Sequence, residues 1–155
     1  MEKNTLFVYD NYNGTVIDYM TAGRLYEHLP HPMEQRSIDF VSKNNRLYNR
    51  IQSQSDLPEL NIAQSGSLLR IKDQLILIDP QKQDLEWSCA EPIDLLVITE
   101  NTQGNLYQLN KQFCPKKVIL DGTVKNKLWA HKKAAENLDL PIHITSKDGA
   151  YSIEI

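Results

Sequence analysis

The chain has 155 residues, of which 41% are apolar and 24% charged, with a net charge of −3 and a pI near 5.8. This is enough for one domain with a real core and hardly for two, and the acidic balance excludes a generic nucleic-acid binder. No apolar run approaches the ~20 residues of a membrane helix, and the first ten residues lack the apolar centre of a signal peptide.

From the N-terminus, Thr5–Asp10 (TLFVYD) and Gly14–Met20 (GTVIDYM) are β-rich runs separated by Asn11-Tyr12-Asn13, a hairpin signal. A second turn at Thr21-Ala22-Gly23 leads into Arg24–Leu29, so the chain is expected to open with a three-stranded meander. Val16, Asp18 and Met20 alternate with Ile17 and Tyr19, which predicts one half-exposed face. Pro30 and Pro32 break the pattern, and Ile38, Val41, Tyr48 and Ile51 then fall near helical spacing within Met33–Ile51. Gln52–Ser65 reads as a loop, Ser67–Ile71 and Gln74–Asp79 as a hairpin around Lys72-Asp73, and Gln81–Pro92 as a connection.

The period then changes. Asp94–Glu100 (DLLVITE) and Lys117–Asp121 (KVILD) have continuous apolar centres, as strands covered on both faces do. A short helix over Asn105–Phe113 fits between them, and a second over Val124–Leu138 follows, with Thr123 as its N-cap. Its buried stripe runs through Val124, Leu128, His131 or Trp129, Ala135 and Leu138. Pro141 stops it, and Asp148-Gly149 is expected to turn a last hairpin. The fold class is therefore α/β or α+β: a mixed sheet with an N-terminal meander and a C-terminal βαββ unit, in a single domain over residues 1–155.

The charge is unevenly spread. Asp56–Glu100 holds nine acids and three bases; Lys116–Lys133 holds six lysines and one acid. The bland explanation is two solvated faces of one domain. The sharper one is a basic surface on the last long helix, with Trp129 among Lys125, Lys127, Lys132 and Lys133 as a base-stacking patch for nucleic acid. A helix tryptophan packed on the sheet is the commoner arrangement.

Four carboxylates close apolar strands: Asp10, Asp79, Glu100 and Asp121. Ligands of open α/β sheets bind beyond the carboxyl ends of strands, so these acids are a candidate pocket. The competing explanation is that Asp commonly ends strands through its turn-forming side chain. The four histidines (His28, His31, His131, His143) show no zinc-ligand spacing and read as structural or surface groups. Asn101–Asn105 (NTQGN) is a polar strand-to-helix turn, better suited to capping than to holding an anion. Cys89 and Cys114 lack metal or redox spacing; a disulfide between them is one reading and buried free thiols the preferred one.

Taken together, Phe7–Tyr19 (FVYDNYNGTVIDY), Leu75–Pro80 (LILIDP), Leu95–Thr99 (LLVIT) and Val118–Ile155 resemble the C-terminal soluble tail of ComEC-type competence membrane proteins. The likeness is densest in Val118–Gly122 (VILDG), Trp129–Lys133 (WAHKK) and Asp148–Ile155 (DGAYSIEI). It implies a reduced metallo-hydrolase-like fold, related to metallo-β-lactamases, and a parent DNA-uptake protein in the cell membrane. On that likeness the chain is a soluble fragment, with Met1 its expressed start. Relatives of that fold use a HxHxDH metal motif. Here Pro80-Gln81-Lys82 follows Asp79, and Glu100-Asn101 stands where a metal-binding histidine is expected. The resemblance thus implies a domain with no metal site, no cofactor and no catalysis, contacting DNA, a partner protein or the membrane portion of its parent. Two alternatives stand beside it: an altered metal-dependent phosphodiesterase using the strand-end acids, and a structural domain that forms homo-oligomers.

Overall fold

The structure, a computed structural model, describes residues 3–56, 67–81 and 91–155. It is a sandwich of two five-stranded mixed sheets with helices on the outer faces. In chain order the elements are β1 (Thr5–Val8), β2 (Ile17–Thr21), β3 (Arg24–His28), α1 (Gln35–Tyr48), β4 (Ser53–Asp56), β5 (Ser67–Ile71), β6 (Gln74–Ile78), β7 (Leu95–Ile98), α2 (Leu106–Phe113), β8 (Lys117–Leu120), α3 (Leu128–Leu138), β9 (Ile142–Ile144), α4 (Thr145–Asp148) and β10 (Tyr151–Glu154).

The first sheet runs β10-β1-β2-β3-β4 and the second β5-β6-β7-β8-β9. The predicted meander forms, with Val8 opposite Ile17 and Tyr19 opposite Tyr26. The predicted parallel unit also forms, β6, β7, β8 and β9 lying parallel with Val97 opposite Ile119. The two-residue period of the central strands sorts their side chains between two cores. Ile76, Ile78, Leu95, Val97 and Ile119 meet Leu6, Val8, Ile17 and Tyr19 between the sheets. Leu75, Leu77, Leu96, Ile98, Val118 and Leu120 face outward, onto Leu106, Leu109 and Phe113 of α2 and Ala134 and Ala135 of α3.

Several local expectations change. Asp148-Gly149 turns no hairpin. Thr145–Asp148 winds one helical turn, in which Asp148 accepts the Ile144 N–H at 3.1 Å, and Gly149 follows at φ +82°. The chain thereby leaves the second sheet at β9 and enters the first at β10, where Tyr151 lies opposite Val8. The expected half-exposed face of β2 is covered, because α1 packs there and Asp18 is fully buried. Part of the expected 52–65 loop is β4, paired in parallel with β3; the rest lies outside the described residues. Most of the expected 81–92 connection lies outside them too, as does Cys89, while Cys114 is exposed at the left-handed C-cap of α2.

Helix α3 starts at Leu128, four residues later than expected, and Thr123 is not its cap. The Thr123 hydroxyl is held instead by Asp121 and by the Glu100 N–H. That shift decides the helix face. His131 turns inward and is buried, and Trp129 turns outward with 74% of its surface exposed.

Candidate functional site

Strands β6, β7 and β8 are parallel, so their carboxyl ends share one edge, and the β1–β2 turn joins it. Asp79 sits there at φ +52° and is 4% exposed. Its Oδ1 accepts the hydroxyls of Thr99 at 2.8 Å and Thr102 at 2.9 Å. His31 Nε2 lies 3.2 Å from its Oδ2. Asp121, 1% exposed, accepts the hydroxyls of Thr15 and Thr123 and the Thr123 N–H at 3.0 Å. Burial pushes its carboxyl up to about 6 against those hydrogen bonds, and the neighbouring Asp79 charge adds to the rise.

Glu100 turns to the loop before α3. It accepts the Lys125 N–H at 2.8 Å and the Asn126 side-chain amide at 3.0 Å. The Lys125 N–H is the main cause that holds its carboxyl below the usual range. Asp10 accepts the Thr145 hydroxyl at 3.2 Å and lies against Gly122. Of the four acids, Asp79 and Asp121 are close enough to repel, Glu100 braces a loop, and Asp10 alone lines the neighbouring cleft.

A hard cation wants about six oxygen ligands and zinc three or four donors. Among the described residues no three His, Cys, Asp or Glu side chains gather around such a position. Threonine hydroxyls occupy Asp79 Oδ1 and both oxygens of Asp121, and His31 faces Asp79 Oδ2. The described residues do not fit the metal centre that the resemblance to metallo-hydrolases brings to mind.

The Asn101–Asn105 turn also keeps its donors to itself. Asn101 N–H donates to the Thr99 hydroxyl at 3.1 Å and Gln103 N–H to the Pro80 carbonyl at 3.1 Å. Asn105 and Gln108 close a reciprocal capping box on α2.

The edge is held by a close backbone approach at Gly122. A Cβ there would stand 2.5 Å from Asp10 Oδ1 and 2.6 Å from the Asn11 nitrogen. Gly122→Ala must therefore move the β1–β2 turn. We expect a loss of about 1–3 kcal/mol of stability in chemical denaturation, and a change below about 0.5 kcal/mol would show the turn to be freely displaceable.

The basic candidates lie beside this edge. Lys125, Lys127, Trp129, Lys132 and Lys133 are all exposed. Trp129, Lys132 and Lys133 are three and four residues apart on α3 and so share a face. Lys133 approaches Glu136 only at 3.9 Å. Lys125 reaches the other way, its Nζ 3.1 Å from the centre of the Tyr12 ring. Tyr12 borders a cleft of about 500 Å³ between the β1–β2 turn and the start of α1. Sequence reasoning missed this cleft and the threonine cradles, because their members are far apart in the chain. The one available signal was Tyr12 inside a turn otherwise made of asparagines.

The sandwich is similar to that of "CmlA beta-hydroxylase E377D mutant", with a TM-score of 0.51 at 8% identity, covering 98% of this chain and 54% of that one. The chain thus spans about half the length of that enzyme, and the likeness concerns the metallo-β-lactamase-like fold alone. No curated protein matches it in sequence. The sequence pattern of the ComEC C-terminal domain, however, matches residues 6–155, nearly the entire sandwich, and the chain belongs to that family.

Proposed function

We propose that this domain is a non-catalytic accessory domain of a DNA-uptake membrane protein, and that it contacts DNA through Lys125, Lys127, Trp129, Lys132 and Lys133. The observation that carries the reading is Trp129, left 74% exposed among four exposed lysines. A large aromatic ring costs free energy when it stays in water, and it is the group on which an unpaired base stacks. The lysines supply the phosphate contacts, in a chain whose net charge of −3 would otherwise oppose them. Family membership supports an attachment to the membrane portion of a competence protein. Of the strand-end acids, Asp79 and Asp121, buried against threonines, and Glu100, turned to the loop before α3, act in this reading as braces.

The test is an electrophoretic mobility shift with single-stranded DNA at low salt, comparing wild type with the variant in which all four lysines are changed to Ala. The wild type is expected to bind and the variant to lose at least about tenfold in affinity, with a salt slope reduced by roughly 3. Equal binding by both, or none by either, would sink the DNA contact.

A further inference from the structure

We infer that the cleft beside Lys125 is a second nucleic-acid subsite, which takes an unpaired base of the strand whose phosphates run over the α3 lysines. The inference rests on the proposed DNA contact and deepens it. The cleft's volume of about 500 Å³ falls within the roughly 300–1,000 Å³ of small-molecule sites. Two exposed aromatic side chains line it, Tyr12 at 66% and Phe40 at 91%. Phe40 is on α1 and Tyr12 on the β1–β2 turn, so separate elements bring them to one opening.

The charges around the cleft suit a base better than a phosphate inside it. Asp10 and Glu34 line it and would repel an anion. Arg36 also lines it, with no carboxylate partner among the described residues, and Lys125 Nζ lies on the Tyr12 ring at its border. A neutral planar group can therefore enter while Arg36 and Lys125 meet the phosphates on either side of it. The walls are also braced. Asn11 donates from its carboxamide to the Ser37 carbonyl at 3.1 Å, and Asn13 to the Ser37 hydroxyl at 3.3 Å. The β1–β2 turn is thus tied to α1, so the cleft is preformed, and binding need not order it. Lys125 joins the two surfaces physically, because it belongs to the basic segment and touches the cleft's aromatic border. A duplex keeps its bases stacked inside and offers nothing to either aromatic ring, so the subsite selects single strands.

Fluorescence anisotropy at low salt tests this with two labelled strands of equal length, oligothymidylate and the same phosphodiester backbone without bases. The wild type is expected to bind the thymidine strand about tenfold or more tightly than the abasic one. Phe40→Ala should cut that preference by about threefold or more, leaving the share that stacks on Trp129 and the abasic affinity unchanged, and Phe40→Trp should keep it in full. Phe40 is exposed, so the far-UV circular dichroism of both variants should match wild type. Equal wild-type affinity for the two strands would overturn both the subsite and the stacking on Trp129 and leave the lysine contact standing. No binding of either strand would remove both. A base preference unchanged by Phe40→Ala and abolished by Trp129→Ala would place all the stacking on α3 and overturn the cleft.

Discussion

Arg46→Met should lower the unfolding free energy by about 3–5 kcal/mol, the largest single-residue effect expected in this domain. Helix α1 buries only Ile38 and Ser42 and leaves Phe40, Leu47 and Tyr48 in water. Its apolar contact with the sheet, Ile38 on Tyr9 and Val16 with Val41 beside them, is small. What docks it is charge. Arg46 donates through Nε and Nη2 to Asp18 at 2.9 and 2.7 Å and through Nη2 to Glu27 at 2.5 Å. Asp18 also accepts the Tyr9 hydroxyl at 2.9 Å, and that oxygen accepts Asn45 at 2.8 Å.

Burial opposes the guanidinium charge, but the two carboxylates outweigh it and raise the Arg46 pKa. Burial and the Asp18 charge likewise raise the Tyr9 hydroxyl. Removing Arg46 strands Asp18 with no solvent access and Glu27 with little. The cost is that of uncompensated buried charge, so it should largely vanish when Asp18→Leu and Glu27→Leu are combined with Arg46→Met. Urea denaturation of wild type, single and triple variants measures this. A single variant within about 1 kcal/mol of wild type would mean that α1 is docked by something else. Because α1 carries the Phe40 wall of the cleft, a loosened helix should also weaken base preference.

The legible parts of this fold were those whose cause is local. Four consecutive buried residues in β7, and the apolar run of β8, need cover on both faces, and the period change at Asp94 announces the parallel unit. Turn residues at Asn11–Asn13 and Lys72-Asp73 sit between alternating runs, and both hairpins form. The misread parts have distant causes. Nothing near Tyr151 says that its neighbour is Val8 in the other sheet, so a strand after Asp-Gly looked like a hairpin arm.

The same distance hid the site. Asp79 and Asp121 are cradled by threonines, and Thr15 reaches Asp121 across 106 residues of sequence. Trp129 and His131 were ambiguous because a start at Val124 or at Leu128 rotates the helix stripe. Glu100 settled it by capping the loop at Lys125 and Asn126 and delaying the helix. Cys114 followed a similar course, since a left-handed C-cap turned an apolar-looking thiol to the surface.

Asp121 gives the second large effect, a pH dependence of unusual sign for a carboxylate. Its folded pKa of about 6 lies above the roughly 3.9 of an unfolded aspartate. Between those values the native state binds the proton that the unfolded chain has released, so unfolding becomes easier as pH rises through this window. The contribution is fully favourable below about pH 4, fades towards pH 6, and is absent above it. The gap between the folded and unfolded values corresponds to about 3 kcal/mol, and at 1% exposure solvent screens little of it. Glu100 and Asp94, whose carboxyls are held below their usual values, run the other way and stabilise the fold as pH rises. The clean readout is therefore the difference between wild type and Asp121→Asn. The amide keeps an oxygen for one threonine hydroxyl, offers an N–H to the other, and stays neutral beside Asp79. At pH 7 the variant should be more stable than wild type by about 1–3 kcal/mol, and at pH 4 the two should converge. Denaturation series from pH 4 to 8 measure it. An Asp121→Asn protein that is less stable than wild type at pH 7 by a margin that shrinks as pH falls would show that the ionised carboxylate is an asset to the fold. The strand-end edge would then be built to hold a negative charge and not merely to tolerate one.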